Sequence, residues 1–579
     1  MRLLIYRGVH KSTWRYNVNK RIWHKAYPPG VATSIKYEEI TMSQALSRTA
    51  QSYPDRDALI LMGKKISYRE LEDLVNRFAV SLAKMGIKKG DKVAMILPNI
   101  PQMVIGTYAL WRLGAVAVMN NPLYTETEMA HQLRDSDSVM VICMDLLVPR
   151  MLSLKKQTGI KHIISCHIRD FLPFPLKQLF PLVKKGLHRA PQPGDEGVIE
   201  FVDLLRDKLG PLNDASRFNE LAVMVFTGGT TGVSKGVMLT HANLSVNVQQ
   251  FKNMLHNLKD GDEHVVASMP FFHSAGCTVM MNTCIYRGFT DVLVPKPEVD
   301  ELIKLTKKYK PAVLGGVPTM FVGMLNNPKM PPREKLGFVK GTVSGAAPMA
   351  LETIRELEKR VGAQVIEIFG MSEMSPVATS NPWGGVCKPG SVGIPYPDTD
   401  LKIVDLDTGE KEMPHGKPGE ILLKGPQMMK GYYKKDDETK EALKGGWFHT
   451  GDIGYIDEDG YLFIVDRKKD MIIASGFNIY PRDVDEVLYE HPKIQEACTV
   501  GIPDPYRGET VKVFIVPKPG ETLTEQEVIA HCKKKLAPYK VPKLVEFMDS
   551  LPKSAIGKVL RRELREMEMK RKQGGTKAS

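Results

Sequence analysis

Phe226-Thr-Gly-Gly-Thr-Thr-Gly-Val-Ser-Lys-Gly236 lies between two apolar runs, Leu221 to Val225 before it and Val237-Met-Leu-Thr-His241 after it. Gly228, Gly229, Gly232 and Gly236 let backbone N–H groups converge on an anion, the hydroxyls of Thr227, Thr230 and Thr231 add donors, and Lys235 adds a positive charge. Between two ordered elements, such a composition makes a phosphate cradle. It is not a Walker loop, which requires Gly-Lys-Ser/Thr, because Lys235 follows Ser234 and precedes Gly236. Alone, the run also fits a surface Gly/Thr hairpin; motifs further along the chain weigh against that.

Outward from the cradle, strands and helices alternate. Ser67 and Glu70 form a capping box ahead of Leu71, Leu74, Val75, Phe78, Leu82 and Met85, a helical stripe ending at Gly86. Short apolar runs at Lys92 to Leu97, Ala115 to Met119 and Val139 to Cys143 alternate with helical patterns at Met103 to Arg112 and Glu126 to Arg134. This rhythm predicts parallel sheets with helices on both faces. Val93 to Trp111 carries no charge and is long enough to cross a bilayer, but Pro98, Asn99, Pro101 and Gln102 interrupt it, so it reads as a buried strand followed by a core helix. Beyond residue 400 short strands and turns predict a β-rich subdomain. After the charged run Asp466-Arg-Lys-Lys-Asp470 comes a small α+β unit, with helices near Pro481 to Glu490 and Glu525 to Lys535 and strands near Ala497 to Ile502 and Val511 to Val516. The fold class expected is α/β, with a large unit of doubly wound sheets, a β-rich subdomain and a small α+β unit at the C-terminal end.

A chain of 579 residues exceeds what one hydrophobic core usually serves, so at least two domains are expected. With 43% apolar and 25% charged residues, fibrous and mainly disordered architectures are excluded. The seven cysteines are scattered and never spaced C-x-x-C, suggesting neither a disulfide framework nor a zinc cluster and fitting a reducing cytoplasm. The net charge of +14 is concentrated: residues 1–37 hold eight Lys/Arg and no acid. That segment reads as a basic arm, 1–36, without the apolar core of a secretory signal. Nucleic acid is not an expected partner, because no module for it is visible. Phe171 to Arg189 mixes large apolar side chains with only positive charge, and reads either as a surface that meets an anionic membrane or as a loop packed on its own domain.

Thr227 to Gly236 resembles the phosphate loop of the adenylate-forming acyl-CoA synthetase superfamily, with Gly228 for the usual Ser and Ser234 for the usual Pro, as also met in long-chain fatty acyl-CoA ligases. The similarity extends from about Tyr37 to Leu564. Ile366-Glu-Ile-Phe-Gly-Met-Ser-Glu373 is similar to the family's Tyr-Gly-x-Thr-Glu element. The resemblance implies that Phe369, with Gly370 and Met371, lies beside adenine, that Ser372 meets the α-phosphate, and that Glu373, with Thr227, holds Mg²⁺. A hydrolase reading of Gly370 to Met374 fails, since a nucleophile elbow ends in Gly. Ser344-Gly-Ala-Ala-Pro348 resembles the stretch lining the adenine pocket, through Gly345 and Ala346. Trp447-Phe-His-Thr-Gly-Asp452 implies ribose binding by Asp452, and Arg467 is expected to reach ribose or phosphate.

By the same resemblance, Lys469 in the hinge 467–470 is a pivot between an adenylation domain, 37–466, and a mobile C-terminal domain, 471–579, with a basic tail. Ser475, Gly476 and Phe477 are expected beside coenzyme A. Pro552-Lys-Ser-Ala-Ile-Gly-Lys558 matches the family's C-terminal element and makes Lys558 the expected catalytic lysine. His273, Gly316 and Val317 fall where the family binds the acyl group. Phe271, Phe272, Cys277, Met280 and Met281 suit either an acyl tunnel or an ordinary core. The implied reaction is fatty acid, ATP and coenzyme A giving acyl-CoA, AMP and pyrophosphate. Trp23-His-Lys-Ala-Tyr-Pro28 and Asn121-Pro-Leu-Tyr-Thr125 resemble the medium- to long-chain branch. Alternatives are an acyl-AMP ligase loading a carrier protein, an aryl or short-chain acid–CoA ligase, a luciferase-type oxygenase and a non-catalytic membrane-binding protein. A cytoplasmic location, at the inner face of a membrane, and a homodimer are further expectations.

Overall fold

The computed structural model describes residues 21–183, 186–206, 212–227, 234–474, 477–554 and 557–575. Two large sheets dominate it. The eight-stranded one is parallel through Lys92–Ile96, Val116–Met119, Ser138–Met144, His162–Cys166, Val198–Glu200 and Leu221–Thr227, and antiparallel at the edge formed by Lys235–Thr240 and Gly431–Tyr432. The nine-stranded sheet is parallel from Asp57–Leu61 through Thr290–Leu293, His264–Ala267, Val313–Gly316, Gly341–Ser344 and Val365–Gly370, and antiparallel at both ends.

Local signals explain the elements. Ser67 accepts from the Glu70 N–H and the Glu70 carboxylate reaches back to the Ser67 N–H, starting the helix Tyr68–Lys84, which buries Leu71, Val75, Phe78 and Leu82. The uncharged run becomes the strand Lys92–Ile96 and the helix Pro101–Arg112, all twelve residues of which are buried. A helix apolar on every side belongs inside a large protein, and this one lies against the helix Tyr68–Lys84.

Past residue 400 the expected β-rich part is a four-stranded antiparallel sheet of Asp400–Val404, Gly419–Lys424, Phe448–Ile456 and Leu462–Arg467. Residues beyond 471 bury Ile472, Val484, Leu488, Val513 and Val528 in a core of their own. The expected helices there run Pro481–Tyr489 and Glu525–Lys533, and the strands Ile494–Asp504 and Gly508–Pro517.

Three readings change. Residues 21–36, taken as part of a basic arm, pack on the molecule, because Trp23 and Val31 are buried and Tyr27 donates its phenol to the Pro395 carbonyl at 2.6 Å. Arg21 pairs with Asp400 and Lys25 with Asp459. The remainder of the arm, 1–20, lies outside the described residues. In the Phe171 to Arg189 segment the packed-loop reading holds for Leu172 and Phe180, which are buried, whereas Phe174, Leu176, Leu179, Leu182 and Leu187 are exposed around the short helix Leu176–Val183. The basic tail is a helix, Arg561–Gly575, anchored by buried Leu564 and by Arg561, which pairs with Asp466 and Asp485. An amphipathic stripe within a very basic stretch had hidden that anchor.

Candidate active site

Thr227 ends one strand and Lys235 begins the next, and the two residues sit opposite each other in an antiparallel pair. The cradle is therefore the connection of a hairpin at the edge of the eight-stranded sheet. Gly228, Gly229, Thr230, Thr231 and Gly232 lie outside the described residues. The Lys235 ammonium stands 5.2 Å from the centre of the Tyr432 ring, a cation–π distance, and the Tyr432 phenol donates to Glu373 Oε1 at 2.9 Å. One chain of contacts thus joins the cradle's lysine to the carboxylate singled out in the sequence.

Glu373 sits in a single turn, Ser372–Met374, directly after the strand Val365–Gly370. Its own backbone carbonyl accepts from the Met429 N–H at 2.8 Å. Burial raises its pKa, opposed by hydrogen bonds from its own backbone and Tyr432 and by the charge of Arg467. Gly370 is obligatory here, because a Cβ would lie 1.9 Å from the Pro376 carbonyl oxygen. Ser372 is buried with its hydroxyl 2.9 Å from that of Ser274. Phe369 and Met371 are half-buried.

Gly345 donates its N–H to the Gly316 carbonyl at 3.2 Å, which draws the ends of two neighbouring parallel strands together. Ala346 follows with φ 68° and is exposed, a left-handed conformation uncommon for a residue with a Cβ. Both flank the carboxyl ends of the strands, where α/β sheets bind ligands.

Asp452 and Arg467 face each other across two strands of the small sheet, Arg467 Nε to Asp452 Oδ1 at 3.2 Å. Burial pushes the Asp452 carboxyl up, while Arg467 and then Lys558 oppose the shift. Lys558 comes from the far end of the chain. Burial lowers its pKa to about 8, helped by repulsion from Arg467 and resisted by Asp452. The turn holding it is closed by Ser554, which donates its N–H to the Lys558 carbonyl at 2.8 Å and accepts the Lys558 N–H on its hydroxyl at 3.2 Å. At the neighbouring Gly557 a Cβ would lie 2.6 Å from Thr319 Oγ1 and 3.5 Å from Val317 Cγ2. The C-terminal turn is thus seated on the segment that follows Gly316.

His273 is held neutral, its pKa lowered to about 4 by burial and then by the charge of Lys558. Its Nδ1 accepts the Ala275 N–H at 3.2 Å, which leaves the ring proton on Nε2. Next to it, Cys277, Met280 and Met281 are buried in a π-helical stretch, Gly276–Asn282, a geometry often found at functional sites.

Lys235, Glu373, Ser372, Asp452, Arg467, His273, Val317 and Lys558 are therefore linked by contact or by charge. Phe477 is not brought to them: it is 52% exposed and stacks on Tyr539 with ring centres 4.6 Å apart. Ser475 and Gly476 lie outside the described residues. Lys469 follows Arg467 in a turn, and its carbonyl accepts from Arg565 at 3.4 Å. Sequence reasoning missed Tyr432 and Ser274. Tyr432 belongs to a two-residue strand with no period to read, and only pairing of Tyr432 with Val237 carries its phenol to Glu373.

Residues 46–433 match the model of the AMP-binding enzyme family and residues 483–558 that of the AMP-binding enzyme C-terminal domain. The chain is 40% identical over 553 residues to a long-chain-fatty-acid–CoA ligase of Bacillus subtilis (strain 168), covering 95% of this chain and 98% of that one. The ATP-bound crystal structure of MatB from Rhodopseudomonas palustris superposes with a TM-score of 0.80 at 29% identity, over 91% of this chain and 99% of that one. Its apo crystal structure gives 0.71, at the same identity and coverage.

Proposed function

This chain belongs to the AMP-binding enzyme family, and we propose that it is an ATP-dependent, AMP-forming acyl-CoA ligase acting on medium- to long-chain fatty acids. It converts fatty acid, ATP and coenzyme A into acyl-CoA, AMP and pyrophosphate through an acyl-adenylate. The name and near-complete coverage of the Bacillus subtilis relative support the fatty-acid class. The observation that carries the mechanism is the turn of Lys558, whose Gly557 lies against Thr319 and Val317 and whose lysine charge is felt by both Asp452 and His273.

A carboxylate resists thiol attack because its oxide leaves poorly, so it is first activated. In the proposed first step the fatty-acid carboxylate attacks the α-phosphorus of ATP and pyrophosphate leaves. Lys558 steadies both negative groups as they approach, His273 offers its Nε2–H, and Asp452 accepts from the ribose hydroxyls. Catalysis of this kind rests on positioning and charge. In the second step coenzyme A attacks the acyl carbon and AMP leaves.

The residues fit Mg²⁺: Glu373 is a buried carboxylate hydrogen-bonded by a phenol and its own backbone rather than paired directly with a cation, and a hard dication prefers such oxygen donors. Glu373, with the Thr227 hydroxyl, would hold it. When bound, it would offset charge on the triphosphate.

Phe174, Leu176, Leu179, Leu182 and Leu187 support peripheral contact of the protein with an anionic membrane, with Lys177 beside them. No helix among the described residues is long and apolar enough to cross one.

A panel of acids from acetate through palmitate, plus benzoate, scored for AMP and thioester, tests the proposal. The highest kcat/KM is expected for a medium- or long-chain acid, with AMP release dependent on free coenzyme A. A maximum at acetate or benzoate overturns the fatty-acid reading. AMP release without thioester formation points to carrier loading.

A further inference from the structure

Near the carboxyl ends of three neighbouring parallel strands, away from the residues described above, Asp145, His167 and His188 bring three potential ligand atoms within 4.8 Å of one another. Asp145 follows the strand Ser138–Met144, His167 follows His162–Cys166, and Glu200 ends Val198–Glu200. His188 comes from the segment after the helix Leu176–Val183. Asp145 Oδ2 is 2.9 Å from His167 Nδ1 and 3.1 Å from His188 Nδ1, and the two nitrogens are 3.3 Å apart. The second ring nitrogen of His167, Nε2, is 2.7 Å from Glu200 Oε2.

Hydrogen bonding alone satisfies this cluster poorly. Asp145 Oδ2 already accepts the Arg189 N–H at 2.7 Å. If both imidazoles also donate to it, one oxygen receives three donors, against the two lone pairs it carries. Two N–H groups would further converge 3.3 Å apart. If instead the neutral His167 ring gives its proton to Glu200 through Nε2, a lone pair on Nδ1 faces an anionic oxygen at 2.9 Å. If a doubly protonated His167 donates to both acids, it fills Asp145 Oδ2 together with the Arg189 N–H, and His188 Nδ1, 3.1 Å from that oxygen, is left as a third donor or as a lone pair facing an anion. A cation between the three atoms removes each of these conflicts. Ligands about 2.0 to 2.1 Å from a tetrahedral zinc ion stand about 3.3 Å from one another, close to the triangle seen here. A carboxylate on the far nitrogen of a ligating histidine is the usual outer partner of such an ion.

We propose that Asp145, His167 and His188 form a binding site for a divalent transition metal ion, Zn²⁺ by its ligand set, with Glu200 orienting His167 from outside. Asp145 Oδ1 remains on the Leu146 N–H at 2.9 Å, so one carboxylate oxygen ligates. The ion ties three strand ends to the segment bearing the exposed Phe174, Leu176, Leu179 and Leu182. The inference does not depend on the ligase reading.

The test uses the full chain, stripped with chelator and dialysed against Zn²⁺, and in parallel against Co²⁺. About one equivalent of zinc per chain is expected, with the visible absorption of tetrahedral Co²⁺. His188→Gln, a change at a partly exposed loop residue, should abolish the Co²⁺ band while the near-ultraviolet circular dichroism stays unchanged. Glu200→Gln should weaken zinc binding roughly 10- to 100-fold. Failure of the stripped wild-type chain to take up zinc at micromolar concentration overturns the proposal and leaves a proton-sharing network. Undiminished binding by both His188→Gln and Asp145→Asn overturns it equally, since the metal would then lie elsewhere.

Discussion

Glu373 and Tyr432 meet only because the strand Gly431–Tyr432 pairs with the far side of the cradle hairpin. Removing the carboxylate in Glu373→Ala should leave ATP binding and lose adenylation, because charge moving toward pyrophosphate would lack an anchor. Near-normal acyl-AMP formation by that variant at ordinary magnesium would end the assignment. Tyr432→Phe should act more mildly. It leaves a buried carboxylate oxygen without its donor, a cost of about 1–3 kcal/mol, hence a roughly 5- to 150-fold fall in kcat/KM that rising magnesium partly restores. Lys558 has a pH signature. With its pKa lowered to about 8, the free enzyme holds the needed ammonium below that pH and loses it above, so kcat/KM for ATP should fall as pH rises through about 8. Arginine stays charged throughout, so residual adenylation by Lys558→Arg should show no such fall. Parallel profiles for the two enzymes would remove Lys558 from the ionisation.

Arg561 begins the last helix and reaches two acids on different elements, Asp466 at the end of a strand of the small sheet and Asp485 in the helix Pro481–Tyr489. Asp466 also accepts the Arg482 N–H at 2.8 Å, so one carboxylate gathers the elements on either side of the turn that contains Lys469. Arg561→Ala should cost about 3–5 kcal/mol, since it strands buried charge. The pH dependence follows. Burial already pushes Asp485 up to about 6, and without the guanidinium both acids rise further above their unfolded values. The folded state then binds more protons than the unfolded, so the deficit of the variant should shrink as pH falls from 7 toward 5. Thermal melts of both proteins across that range give the answer, and a deficit that grows on acidification would contradict the placement.

Across the molecule, Lys558 is seated at the site while Phe477 is exposed and stacked elsewhere. We propose that the two half-reactions, which share one carboxyl group, exchange these residues by rotation about Lys469. Lys558→Ala should lose most acyl-AMP synthesis yet convert supplied acyl-AMP and coenzyme A to thioester. Lys469→Pro should do the reverse, because proline holds φ near −65° and cannot follow the turn. Single-turnover kinetics of each half-reaction separates the cases; equal losses in both for a folded Lys469→Pro would count against rotation. The apolar ridge makes a further claim at this scale. Liposome co-sedimentation should favour anionic over neutral lipid and weaken with salt, each nearby Lys or Arg adding about 1 kcal/mol. Equal binding to both lipids, or no loss when residues 171–189 are deleted, would refute the docking.

Periodicity and capping, being local, were legible before any fold was known: the capping box at Ser67 and Glu70, the uncharged strand and helix around Pro101, and the cradle between two strands. Glu373, Asp452, Arg467 and Lys558 were singled out by short motifs that resemble those of a family, and the structure brings the four within reach of one another's charge. Long-range packing was not legible. The reach of Arg561 to Asp466 and Asp485, the phenol of Tyr432 on Glu373, and the burial of Trp23 depend on sheet order and strand register. Asp145, His167 and His188 carry no spacing that marks a metal site; a parallel sheet brings Asp145 and His167 together at the carboxyl ends of neighbouring strands, and His188 joins them from the segment after the helix Leu176–Val183.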